Sequence, residues 1–184
     1  MDSKERYKLI EAWVDQSIDS SICSIKPVNS DASFRNFSRV YDDKQNSYIL
    51  MDSPPEKEDN EQFIIISEML LEMGIPSPWI INKDLEAGLL LLSDLGHQTL
   101  LDKNISTPEK LNRFYGEAMR ILFSIQSKGI AFQEQLPKYN SKLLHNEMNL
   151  FSEWYCRKEL AVDSKALREF KFEELFNHLS LRAL

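Results

Sequence analysis

Apolar positions recur at helical spacing over residues 3–18, where Leu9, Ile10, Trp13, Val14 and Ile18 predict an opening amphipathic helix. The period then shortens. Residues 24–28 read as a short strand. Residues 34–41 put Phe37, Arg39 and Tyr41 on one face and Asn36, Ser38 and Val40 on the other. The turn-rich stretch 42–46 and the β-rich Tyr48-Ile49-Leu50-Met51 complete a hairpin, which Pro54-Pro55 ends because proline cannot donate to a ladder. Residues 58–73 return to a helical period, with Phe63, Ile66, Met69, Leu70 and Met73 expected inward and Gly74 as the stop. Pro76 and Pro78 force extension, and 79–82 with 89–92 make a second hairpin across 84–88.

Strand, hairpin, helix, hairpin predicts an α+β arrangement, a five-stranded antiparallel sheet with one packed helix. No strand signal follows 93–96, and the rest reads as helical. Thr107 is a fair N-cap with Pro108 behind it, and Leu111, Phe114, Ala118, Ile121, Leu122 and Ile125 form an expected core stripe closed by Gly129. A helix from Ser141 is expected to bury Leu144, Met148, Phe151 and Tyr155. A third, over 165–181, carries Leu167, Phe170, Leu175 and Leu179. These patterns divide the chain at residue 94, with a sheet-bearing lobe over 1–94 and a helical one over 95–184.

Composition narrows the function classes. The 184 residues carry 22 basic and 29 acidic side chains, a net charge of −7, so electrostatic capture of nucleic acid is disfavoured. Cys23 and Cys156 form no C-x-x-C pair and read as free thiols of a reducing cytosol. The first residues alternate charge with apolar positions and are no signal peptide. The apolar runs are too short to span a bilayer, so a cytoplasmic protein with no membrane partner is expected.

Chemistry is sparse among the remaining residues. In the turn at 30–37, Ser30, Asp31, Ala32 and Ser33 are small or polar, and Arg35 can meet a phosphate with a two-pronged fork. A plain hairpin turn describes the same residues. Glu56, Lys57, Glu58 and Asp59 can position phosphate or metal, or simply complement a helix N-terminus. Ser93-Asp94-Leu95-Gly96 can be a ligand-binding hinge or a strand end. Trp154 with Glu147 or Glu153 can take a sugar face and its hydroxyls, or Trp154 can anchor a core. His145-Asn146-Glu147 lacks the cysteine pair of a zinc deaminase, and no Walker loop or G-x-G-x-x-G is present.

Three motifs, D-A-S-F-R at 31–35, M-D-S-P-P-E-K-E-D at 51–59 and L-F-S-E-W at 150–154, resemble a bacterial sugar-kinase branch of the aminoglycoside phosphotransferase family. The resemblance implies a protein-kinase-like fold, the five-stranded lobe followed by the first helices of an α-helical C-lobe. It implies ATP and Mg²⁺ as cofactors and transfer to the anomeric hydroxyl of N-acetylmuramate or N-acetylglucosamine in cell-wall recycling. Carried over residue by residue, Asp31, Ser33 and Arg35 would serve the phosphates, and Ser93, Asp94 and Leu95 the adenine edge. Glu147 and Trp154 would serve the acceptor sugar.

The chain departs from the pattern in three places. Ser30 stands where the family has glycine, Met51-Asp52 where a protein kinase carries its lysine, and Phe63 near its glutamate partner. No H-x-D-x-x-x-x-N follows any of the three histidines, so neither a catalytic base nor a Mg²⁺ ligand is expected in this chain. The expectation is an N-terminal portion, inactive alone and completed by a C-terminal polypeptide. A non-catalytic truncated paralogue that binds nucleotide or a partner is the other class.

Overall fold

The computed structural model describes residues 2–28, 33–100, 102 and 107–184. They divide into two compact units, Met1–Ala131 and Phe132–Leu184. The first opens with α1 (Ser3–Ser17), where the Asp2 carboxylate accepts from the Lys4 and Glu5 N–H groups and Glu5 Oε2 accepts from the Asp2 N–H at 3.0 Å. This reciprocal cap satisfies donors that a helix start otherwise leaves orphaned.

Five strands follow, β1 (Ile22–Pro27), β2 (Asn36–Asp42), β3 (Ser47–Asp52), β4 (Ile80–Asp84) and β5 (Leu89–Ser93), with α2 (Asn60–Glu72) between β3 and β4. Their order in the sheet is β1-β2-β3-β5-β4, and every neighbouring pair is antiparallel. The expected five-stranded antiparallel sheet is therefore present. β4 runs two residues past its expected end.

The sheet is covered on both faces, which explains why β5 shows no polar alternation. Leu89 and Leu91 pack with Ile10 and Val14 of α1 and with Val40 and Leu50. Leu90 and Leu92 pack with Ile64 of α2 and with Met51. Burying each such leucine stabilises by roughly 1.5–3 kcal/mol.

The face of α2 departs in part from the sequence reading. Met69 and Met73 are buried and Phe63 packs against the core as expected, but Asn60, Ile64 and Ser67 share the inner face and Ile66, expected inward, is exposed. Polar partners set this rotation. Asn60 Nδ2 donates to the Ser53 carbonyl at 3.0 Å, Ser53 Oγ donates to Asn60 Oδ1 at 2.5 Å, and Ser67 Oγ bonds Ser77 Oγ at 3.1 Å and the Pro78 carbonyl. Two satisfied polar residues seven apart take the inner face, and an apolar count alone turns the helix away from them.

Helix α3 (Pro108–Lys128) begins as expected, with Thr107 Oγ1 accepting from the Lys110 N–H at 3.4 Å. Its expected core stripe is not a core, because no residue of α3 is buried and Leu111, Ile121, Leu122 and Ile125 are exposed. Lys128 Nζ donates to the Met73 carbonyl at 2.5 Å, at the end of α2 where the helix dipole favours a cation. The helix ends at Gly129 as expected, with the Gly129 N–H donating to the Ile125 carbonyl, although the glycine stays in right-handed helical space and opens a 3₁₀ segment, Gly129–Gln135.

In the second unit, α4 (Ser141–Leu150) continues into a π-helical segment, Phe151–Glu159. The i→i+5 spacing, seen in the bond from the Leu160 N–H to the Tyr155 carbonyl at 2.9 Å, rotates the inner face. Cys156 is buried, while Phe151 and Tyr155, expected inside, are exposed and stack on each other at 5.5 Å. The single helix expected over 165–181 is two, α5 (Ser164–Glu169) and α6 (Phe172–Ala183). Lys171, at φ 50°, breaks them, with the Phe170 and Phe172 rings 5.7 Å apart across the break.

Candidate functional site

The corner between β3 and α2 is rigid for local reasons. Asp52 pairs with Arg6 of α1 at 2.5 Å, and Arg6 Nη2 also donates to the Ala87 carbonyl at 2.7 Å. Gly88, at φ +69°, lies so close beneath that a Cβ there would stand 2.1 Å from the Ser53 carbonyl oxygen. Much of M-D-S-P-P is thus architecture: it fixes where Glu58 and Asp59 stand. Asp59 caps α2 by accepting from the Gln62 N–H at 2.9 Å.

Glu58 faces the turn before β2. Its Oε2 lies 3.1 Å from Arg35 Nη2, and its Oε1 accepts from Ser33 Oγ at 3.3 Å. The Arg35 N–H donates to Ser33 Oγ at 3.1 Å, and the guanidinium lies 5.7 Å from the Phe63 ring centre. The structure therefore gathers Ser33 and Arg35 around one carboxylate, leaving Arg35 Nε enclosed and unpartnered among the described residues. Asp31 lies outside the described residues. Beside this cluster is a cavity of about 380 Å³ that Ile66 and Phe63 help to line, which accounts for the exposed Ile66.

The other predicted nucleotide residues follow β5. Ser93 is buried and structural: its N–H donates to the Trp79 carbonyl at 3.0 Å and its Oγ accepts from the Trp79 N–H at 3.1 Å. Asp94 receives Arg39 through both prongs, Nε at 2.6 Å and Nη2 at 3.1 Å. Arg39 Nη2 also reaches the Gly96 carbonyl at 2.7 Å, and the Gly96 N–H donates to Asp94 Oδ1 at 2.9 Å. Leu95, between them, is 63% exposed. Burial pushes the Asp94 pKa up, but hydrogen bonds from Arg39, the Gly96 N–H and Ser47, with the Arg39 charge, outweigh it and hold the carboxyl at about 2.

Arg39 was not singled out as a site residue by the sequence reading. The available signal was a cation at a strand-interior position, on the face shared with Phe37 and Tyr41, where a half-buried charge needs a partner.

Glu147 and Trp154 lie in the second unit, on α4 and on the π-helical segment. Tyr139 Oη donates to both Glu147 oxygens, at 2.7 and 2.8 Å, and this bond, with lesser burial and charge effects, raises the Tyr139 pKa. Trp154 is exposed, with Lys158 Nζ 3.6 Å from its ring centre. The two are not bonded to each other, and one face of the indole is already covered by a cation.

The donor set of a hydroxyl and a guanidinium at Ser33 and Arg35 has the chemistry to meet phosphate oxygens, and Leu95 at the other end of the sheet is exposed. Among the described residues no group of three or more His, Cys, Asp or Glu side chains is placed to hold a metal ion. Among the same residues no helix is long and apolar enough to cross a membrane.

Residues 24–182 match the family model described as the phosphotransferase enzyme family. The chain is 32% identical over 173 residues to an N-acetylmuramate/N-acetylglucosamine kinase of Pseudomonas aeruginosa, covering 89% of this chain and 50% of that protein. A Pseudomonas putida protein of the same name is 32% identical over 167 residues, 85% of this chain and 48% of its own length. One from Neisseria meningitidis is 26% identical over 147 residues, 79% and 41% respectively. The chain spans about half the length of the curated relatives it matches.

Proposed function

The chain belongs to the phosphotransferase enzyme family, with its kinase-like fold, and from that premise we propose that it is the nucleotide-binding, N-terminal portion of an ATP-dependent amino-sugar kinase. The acceptor in this reading is N-acetylmuramate or N-acetylglucosamine, after the relatives' names. The nucleotide lobe is residues 1–94 and the helical lobe begins at 95. Asp31, Ser33 and Arg35 meet the phosphates, the backbone around Leu95 meets the base, and Glu147 with Trp154 contributes to the sugar side. The observation that carries the reading is the gathering of Ser33 and Arg35 at the start of β2 in a family phosphotransferase sheet whose last strand, β5, runs into an exposed Leu95.

Bound ATP and Mg²⁺ supply the phosphoryl group and the charge neutralisation of the transfer. The part of this chain's residues is binding and orientation. Arg35 is held in place by Glu58 across 3.1 Å and exchanges part of that pairing for phosphate oxygens. The base and the metal ligands come from a complementing C-terminal polypeptide, and the reaction is cytoplasmic. The exposed apolar stripe of α3 favours this completed form. It equally suits a non-catalytic module that docks a partner there, which is the second reading.

The test is an ADP-release assay with ATP, Mg²⁺ and a panel of amino sugars. The chain alone is expected to show no sugar-dependent release, and release is expected once the missing half is supplied in trans. Turnover on the order of 1 s⁻¹ by the chain alone contradicts the portion reading. No turnover in either format, with ATP bound, favours the module.

A further inference from the structure

The segment that leaves β5 is held to the sheet by more than chain connectivity. Arg39 comes from the middle of β2, two strands away from β5 in the sheet order, and spans β3 to reach it. Its guanidinium takes both Asp94 oxygens and the Gly96 carbonyl, and the Gly96 N–H closes back onto Asp94. The Asp94 side chain is 4% exposed, so the pair is shielded from solvent competition. Two residues further along β2, Tyr41 lies nearly parallel to His97, at 6.2 Å and 9°. Asp94, Gly96 and His97 are each contacted from β2, and Leu95 between them is exposed, as are the neighbouring Gly96 and His97 surfaces.

A turn needing only to leave a strand requires no such fixation: Gly96 already supplies the φ of +113° that a loop exit uses. The fork ties the Asp94 side chain and the Gly96 carbonyl on either side of the exposed Leu95. That is what a flat ligand with edge donors and acceptors needs, since ordering the edge in advance removes an entropic cost from binding. We propose that Arg39 is the positioning residue of the base-binding edge: through Asp94 and Gly96 it holds the Leu95 backbone in the orientation that receives the planar base of a nucleotide, while contributing nothing to the phosphates. The inference rests on the nucleotide reading above and adds a residue and a division of labour to it.

The experiment separates base from phosphate. ATP and inorganic tripolyphosphate are titrated into the 184-residue chain and followed by amide chemical shifts, for the parent, Arg39→Gln, Arg39→Lys and His97→Ala. Arg39→Gln is expected to weaken ATP about tenfold, as loss of a charge-assisted fork does, and to leave tripolyphosphate unchanged. Arg39→Lys restores the charge without the fork and recovers only part of the loss. His97→Ala removes the ring stack alone and weakens ATP by about twofold. A merely structural arginine would lower both affinities together. That outcome overturns the proposal, as does unchanged ATP binding in Arg39→Gln. If Arg39→Gln does not fold, His97→Ala decides, and unchanged ATP affinity there overturns it. A parent chain that binds tripolyphosphate as well as ATP overturns this inference and leaves the phosphate side standing. A parent that binds neither overturns the nucleotide reading along with it.

Discussion

Strand β5 and helix α3 are both rich in large apolar residues, yet β5 buries all five of its residues and α3 buries none of its 21. The leucines of β5 meet a helix on either face of the sheet. The α3 stripe has the right 3.6-residue period and remains exposed in this chain. Periodicity identifies which face is apolar; whether it becomes a core depends on what else is there to cover it. A fold stabilised mainly by its sheet should therefore respond very differently to the same kind of truncation in the two elements.

The largest effect is expected at the centre of β5. Leu91→Ala should cost about 3–5 kcal/mol, the range for opening a cavity at a fully buried leucine. Urea unfolding followed through Trp13, which packs against the same core, measures it in a chain with Trp79 and Trp154 replaced by phenylalanine. A cost under about 1 kcal/mol would erase the contrast with α3.

Acid sharpens the contrast by a different route. Asp42 is buried at the β2–β3 turn. Burial pushes its pKa up, but bonds from Ser20, the Asn46 side chain and the Asn46 and Lys44 N–H groups outweigh this and hold it at about 2, and Asp94 lies equally low. Both folded values lie below the ordinary 3.8, so the stability they contribute is present above pH 3.8 and is lost as pH falls towards 2. Thermal melts of the sheet from pH 5 to pH 2 should show this decline, and Asp42→Asn with Asp94→Asn together should flatten it. An equally steep decline in the double variant would place the acid sensitivity elsewhere.

The smallest effect belongs to α3. Leu122→Ser should change stability by no more than about 0.5 kcal/mol, as at other exposed positions, and should reduce self-association seen by light scattering. A large destabilisation would show that the stripe is already covered in solution.

The same contrast explains what was legible in the sequence. The strands and the two hairpins could be read because Pro54-Pro55, Gly88 and the Asp42–Asn46 turn punctuate them with residues of specific backbone demand. The polar part of α2's inner face could not, because Asn60 and Ser67 are buried through bonds to Ser53, Ser77 and Pro78 that only the folded chain brings near. Neither could the π-helical segment or the break at Lys171, which no glycine or proline marks. At the site, motif recognition led to Ser33, Arg35 and Asp94. Their actual partners, Glu58 and Arg39, are 25 and 55 residues distant in sequence, and spacing alone carries no signal at that range.

The central claim is that this chain carries the nucleotide side of a phosphotransferase. Titrating ATP into the isolated chain while following backbone amide shifts tests it most directly. The account predicts weak, saturable binding, about millimolar or weaker, with shifts confined to residues 31–35 and to Asp94–Gly96. No saturable shift up to solubility, or shifts confined to residues 132–184, would contradict it.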